Sequence, residues 1–426
     1  MAWSDLPAEL ALQIASHNVN EMQTLRTMCL VSKSMRDAAI EPLFSVLHFS
    51  RNVDLLCWLA LAQRAPSLLS AVRKLKLTIG LSLSATNLSA IPTLENVCEL
   101  ELSGLGRKNA PELQWSEGLE AIASYLEQSL PNLRRLSLSN SHFWHLAQLS
   151  RVIRAAASLE SLAICASSVI SLNNSNQDVT NIGRVPVNLA GLRELALIGN
   201  HREFDSDGQN SLGRMMLLSP PTQLRVLTLL SFHESGYDNP CSIMTMIMLM
   251  RTSYAFLTHL TIDPNLRHRY ENPLLTSALP TLPPFAALLE LTIHLGALGS
   301  ADSSGPAAFF FAALKPMPKL TIVRFVLREL GTWDYTSFMW LFSSHPSLLH
   351  ENSLQRRFPS LEAIHWVFCV DPRGDKVRLM VSKSHKLDIE RRLLLRLENV
   401  GMSSQWICRE WIMWQDRNYR PMVWED

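Results

Sequence analysis

Charge of one sign is not in excess in this chain: 39 lysines and arginines face 38 aspartates and glutamates over 426 residues. No global field draws it to nucleic acid or to an anionic membrane, and both are set aside as partners. Cysteine is sparse and scattered, at Cys29, Cys57, Cys98, Cys165, Cys241, Cys369 and Cys408. An odd, scattered set with no Cys-x-x-Cys pair reads as reduced core thiols of an intracellular protein. Long apolar runs are missing too. The best of them, residues 242–250 and 307–314, fall short of the ~18 residues that span a bilayer. The opening Met-Ala-Trp-Ser-Asp-Leu-Pro lacks the basic start and apolar stretch of a secretory signal. A soluble cytoplasmic or nuclear protein is expected, in which the glycosylation patterns at Asn87 and Asn173 carry no consequence.

Catalytic signatures are equally absent. The chain has no phosphate-binding Gly-x-x-x-x-Gly-Lys, no His-Glu-x-x-His and no Gly-x-Ser-x-Gly, and Gly104-Leu-Gly106 lacks the third glycine of a dinucleotide loop. His142 and His145 have no cysteine or carboxylate at zinc spacing. Asp205-Ser-Asp207-Gly208 opens like a calcium loop but lacks the glutamate that would close it. Met244, Met246, Met248 and Met250 read as core packing rather than metal ligands. No catalytic residue, cofactor or metal is expected, and the chain is read as a non-enzyme.

One apolar phrase, Leu-x-x-Leu-x-Leu or a close variant, recurs ten times. Its copies start at Val72, Val97, Leu133, Leu159, Leu192, Leu224, Leu257, Leu288, Leu320 and Leu361, with steps of 25 to 41 residues. Leu-x-Leu alternation is the period of a strand with one buried face. The stretches between copies, such as 117–128 and 146–157, carry helical apolar spacing. Each unit is thus a strand plus a helix. Burying one leucine stabilises by roughly 1.5 to 3 kcal/mol, whereas ordering one residue's backbone costs roughly 1 to 2 kcal/mol. A lone unit cannot fold, and stacked units that share a core can.

The pattern resembles leucine-rich repeats, which implies an α/β solenoid with parallel strands on a concave face and helices outside. Asn200 and Asn265 occupy the position where such repeats favour asparagine. Residues between the leucines are expected on the concave face, where Lys74, Lys76, Glu99, Glu101, Arg135, Glu194, His259, Glu290 and Arg324 are candidates to contact a target protein. The insertions 173–188, 202–213 and 296–306 are candidate specificity loops.

Ahead of the repeats, residues 1–46 carry three short helical patterns: one with Leu6, Leu10 and Ile14 four residues apart, one from about Asn20, and one from about Lys33 that Pro42 is expected to end. Leu6-Pro7-x-Glu9-Leu10 with Ile14, then Leu30-Val31-Ser32-Lys33 with Met35-Arg36, and the closing Leu43-Phe44 resemble an F-box of the fungal type. The resemblance implies docking on a Skp-type adaptor and, through it, a cullin-RING ubiquitin ligase. By the same resemblance Leu6, Pro7, Leu10, Ile14, Leu25, Leu30, Val31 and Met35 divide between bundle packing and adaptor contact, with Glu9 and Lys33 beside them. The sequence does not separate the two roles. The function implied is substrate recognition for that ligase; the alternative is a repeat scaffold outside any ligase. Residues 371–426, with helical spacing at Leu387–Val400 and again at Ile407, Trp411 and Trp414, are expected to form a helical cap over the end of the repeats at 47–370.

Overall fold

A computed structural model of the chain describes residues 6–18, 21–80, 85–105, 112–143, 146–165, 168–169, 187–198, 216, 219–230, 240–262, 279–295, 310–311, 313–327, 350–370, 391, 394–395 and 407–413. It divides into two compact units, residues 1–162 with 167–187, and residues 163–166 with 188–426.

The first unit opens with three helices, α1 (Ala8–His17), α2 (Met22–Val31) and α3 (Lys33–Phe44). Ser32 caps α3, its hydroxyl accepting the Met35 N–H at 3.2 Å, which satisfies one of the amides a helix start leaves unpaired. Ala11, Ala15, Leu25, Met28, Met35, Ala38 and Ala39 form the core of this head. Small alanines let the helices approach closely. Pro42 does not end α3, which continues to Phe44; proline costs one backbone bond there, and the last turn tolerates that loss.

Strand β1 (Val46–Phe49) follows, then α4 (Asn52–Arg64), α5 (Ser67–Ala71), β2 (Lys74–Thr78), β3 (Glu99–Ser103), α6 (Glu112–Ser129), β4 (Arg135–Ser139), β5 (His142–Phe143) and α7 (Leu146–Ala155). Strands β1 to β4 pair in parallel with the phrase in register, Leu47 opposite Leu75, Leu75 opposite Leu100, and Leu100 opposite Leu136. β1 carries a further copy of the phrase, Phe44-x-x-Leu47-x-Phe49, with aromatic residues at both ends in place of leucine. β6 (Ser161–Cys165) begins where the first unit ends, and β7 (Ser168–Val169) pairs with β5 in a separate two-stranded ribbon.

In the second unit β8 (Glu194–Ile198), β9 (Val226–Leu230), β10 (His259–Ile262), β11 (Glu290–Leu295), β12 (Ile322–Leu327), β13 (Ala363–Val370) and β14 (Ile407–Met413) lie side by side in chain order. Leu195, Leu227, Leu260, Leu291, Val323 and Ile364 form one continuous in-register row. Helices α8 (Pro240–Ser253) and α9 (Glu351–Arg357) lie between strands in sequence. Met246 and Met250, one turn apart on α8, are buried.

The same backbone bond repeats throughout. The carbonyl at the phrase's second residue accepts two N–H groups from the next copy: Arg73 O from Cys98 and Glu99, Cys98 O from Arg134 and Arg135, Arg225 O from Thr258 and His259, and Thr321 O from Glu362 and Ala363. Asn96 and Asn132 reinforce these steps, each amide donating at 2.8 Å to a backbone carbonyl of the preceding copy, Ser70 O and Glu95 O. Asn200 and Asn265 lie outside the described residues. Both units are therefore strand–helix solenoids built on the repeated phrase, with the leucine face of each sheet as the core.

The last strand corrects the helical reading of Ile407 and Trp411. Residues 407–413 are extended and parallel to β13, with Ile364 opposite Ile407. A sheet edge offers unpaired N–H and C=O groups, and pairing with it satisfies the groups of the segment that face β13. The spacing at 387–400 falls almost wholly outside the described residues.

Candidate interaction surfaces

The head sorts its apolar residues into two sets. Leu25 is fully buried and Met35 is 3 % exposed, so both belong to the head's own core and are corrected out of the contact surface. Leu6 and Ile14 are partly buried against that core. Leu10, Leu30 and Val31 are open, Leu30 at 86 % exposure, and Pro7, Glu9 and Lys33 are exposed with them. Nothing in a short bundle requires a leucine that exposed, because the core is already filled by Leu25, Met28, Met35 and the alanines.

On the sheet of the first unit, parallel in-register pairing places equivalent residues of successive strands beside one another, about 4.8 Å apart. Lys74 therefore neighbours Glu99 and Glu99 neighbours Arg135, while Lys76 neighbours Glu101. Lys74 Nζ lies 3.1 Å from Glu99, Arg135 Nη1 lies 2.9 Å from the same carboxylate, and Lys76 Nζ lies 3.2 Å from Glu101. Burial pushes the Glu99 carboxyl up, but hydrogen bonds and charge from Lys74 and Arg135 outweigh it and hold the group below the ordinary glutamate range. At the end of these strands His48 Nε2 lies 3.3 Å from Thr78 Oγ1, and Ser103 Oγ donates to the same oxygen at 3.1 Å.

In the second unit Glu194, His259 and Glu290 are half-buried on the corresponding face. His259 Nδ1 lies 2.9 Å from Thr258 Oγ1. Arg324 departs from expectation. It is buried, at 9 % exposure, and its guanidinium pairs with Glu290 across β11 and β12. A guanidinium taken out of water requires such a partner, and Arg324 is withdrawn from any surface a target protein reaches. Of the nine face residues, Lys74, Glu99 and Arg135 are linked on β2 to β4, Lys76 pairs with Glu101 beside them, and Glu290 pairs with Arg324 on β11 and β12.

The remaining candidates are quickly placed. His142 lies in β5, whereas His145 and Asp205–Gly208 lie outside the described residues, as do nearly all of the loops 173–188, 202–213 and 296–306. Gly104 serves a turn. Among the described residues no cluster of three or more His, Cys, Asp or Glu side chains could hold a metal ion, and no helix is long and apolar enough to cross a membrane.

No family model matches the chain, and no curated protein matches it. Among solved structures, a protein of Bacteroides fragilis determined by a structural genomics consortium is similar at 13 % identity, over 75 % of this chain and 73 % of that one, with a TM-score of 0.37. The yeast complex of Rad7 and Elc1 is similar at 14 % identity, over 84 % of this chain and 92 % of that one, with a TM-score of 0.38. Likeness at that level assigns neither family nor activity.

Proposed function

We propose that this chain is the substrate-recognition subunit of a cullin-RING ubiquitin ligase, with a head at residues 1–46 docking a Skp-type adaptor, repeats at 47–370 holding a target protein, and residues 371–426 closing the array. The observation that carries the reading is the division within the head: a core already filled by Leu25, Met28, Met35 and four alanines, with Leu10, Leu30 and Val31 left in water. An exposed apolar set on a module that does not need it for folding marks a binding surface. The mechanism is positional. Holding a target beside a ubiquitin-charged enzyme raises its effective concentration, and the chain itself supplies no reacting group.

Co-purification of the full chain with a Skp-type adaptor tests this. The double variant Leu10→Ala, Leu30→Ala removes exposed side chains, leaves the head core intact, and is expected to lose the adaptor. Undiminished capture by that variant rejects the docking surface. Adaptor without cullin in the same eluate favours the scaffold reading over the ligase.

A further inference from the structure

Counted from the first residue of the phrase, the seventh lies on the same sheet face as the third and fifth, opposite the leucines. In the first unit it is a hydroxyl residue, Thr78, Ser103 or Ser139, none of them buried. In the second unit it is half-buried at Cys165 and lies outside the described residues at Asp263, whereas Ile198, Leu230, His294, Val326 and Val367 are exposed by only 3, 2, 1, 6 and 4 % respectively. Thr228 and Arg324, at the fifth position of that unit, are buried at 6 and 9 %. The face that carries no leucines is therefore covered over part of β8, β9, β11, β12 and β13, while no third-, fifth- or seventh-position residue of β1 to β4 is buried. A partner cannot seat on residues that are already covered.

The open face has a charge imbalance. Lys76 and Glu101 pair one to one, but the single carboxylate of Glu99 is shared by Lys74 and Arg135. Among the described residues one positive charge remains uncompensated, and the Arg135 side chain, 51 % exposed, presents it. Lys74 and Arg135 stand two strand spacings apart, roughly 10 Å, within reach of acidic side chains on one segment. Glu99 and Glu101 between them disfavour a continuous phosphate backbone and leave room for isolated carboxylates.

We infer that the target contact of the reading above is made on β1 to β4 of the first unit, by a polypeptide segment whose Asp or Glu side chains meet Arg135 and Lys74, and that the second unit's strands serve as framework. The inference rests on that reading for the existence of a target, and adds where it binds and what chemistry it carries.

The test uses the full chain and a short fluorescein-labelled peptide alternating Glu and Ser, its Gln/Ser counterpart, and labelled oligothymidylate, read by anisotropy at low ionic strength. The Glu peptide is expected to bind and the Gln peptide not to. Arg135→Glu is expected to weaken binding roughly fivefold or more, with Arg135→Gln intermediate and His259→Glu, on the second unit, without effect. Matching far-UV circular dichroism melts establish that the variants fold. Equal binding of the two peptides, an equal loss from His259→Glu, or tighter binding of the oligonucleotide overturns the inference. Adaptor capture, run in parallel, should survive Arg135→Glu; its failure in the parent chain rejects the ligase reading and leaves the peptide result standing.

Discussion

A Cβ placed on Gly104 would lie 2.6 Å from the carbonyl oxygen of Ile79. Gly104 also holds φ at +70°, and Asn140, one copy later at the same place in the phrase, holds +47°. β3 and β4 each leave the sheet through a left-handed residue that lets the chain turn back, and at Gly104 the preceding copy closes off the space as well. Gly104→Ala is expected to destabilise the first unit by about 1 to 3 kcal/mol. Urea unfolding of variant and parent measures it; an unchanged midpoint would contradict the close approach.

The head predicts opposite outcomes for two leucines on one helix. Leu25 is fully buried, and Leu25→Ala should cost about 2 to 5 kcal/mol in head stability. Leu30 is exposed, and Leu30→Ala should change stability by less than about 0.5 kcal/mol while impairing adaptor capture. Hydrogen exchange of the α1 to α3 amides separates the two effects.

Acid should act through Glu99. Because its carboxyl is held below the ordinary value in the folded chain, its contribution to stability is fully present above the unfolded glutamate range, near pH 4.3, and is lost as pH falls through the lower folded value. Glu99→Gln is expected to flatten that acid-side loss. The check compares melting temperatures of variant and parent from neutral pH down to about pH 3; parallel curves would show that Lys74 and Arg135 do not favour the charged form.

Arg357 fastens one repeat to the next. Its Nη2 donates to the carbonyls of Phe311 at 2.6 Å and Leu314 at 2.9 Å, and its guanidinium lies over the rings of Phe311 and Phe358. Burial lowers its tendency to stay charged, so these acceptors compensate for lost water. Arg357→Leu leaves both carbonyls without that donor and should cost about 2 to 4 kcal/mol, whereas Arg357→Lys, which keeps the charge without the planar fork, should cost less. Urea unfolding ranks the pair, and equal losses would show that packing alone matters at this position.

The ten copies of the phrase were legible because burial on one sheet face imposes period two, and a strand displaced by one residue would turn its leucines outward. Leu75, Leu100 and Leu136 stand in the register that this demands. Phe44-x-x-Leu47-x-Phe49 escaped because aromatic residues replaced the leucines at both ends of the phrase. β14 carried no such phrase at all, since its place in the sheet comes from the edge of β13. The switch at position seven, from Thr78, Ser103 and Ser139 to Ile198, Leu230 and Val326, is visible in the residues, but its meaning depends on whether that face is covered.

Reading residues in order was enough to establish a repeated strand–helix unit and a helical head, because hydrophobic periodicity is a local property that each segment carries wherever it packs. Which apolar side chains remain in water, which charges neutralise one another and which sheet face stays open are properties of neighbours brought from 25 or more residues away, as Glu99 is to Lys74 and Arg135 to Glu99. Leu25 and Leu30 look alike in sequence; three-dimensional packing puts one in the head's core and leaves the other exposed.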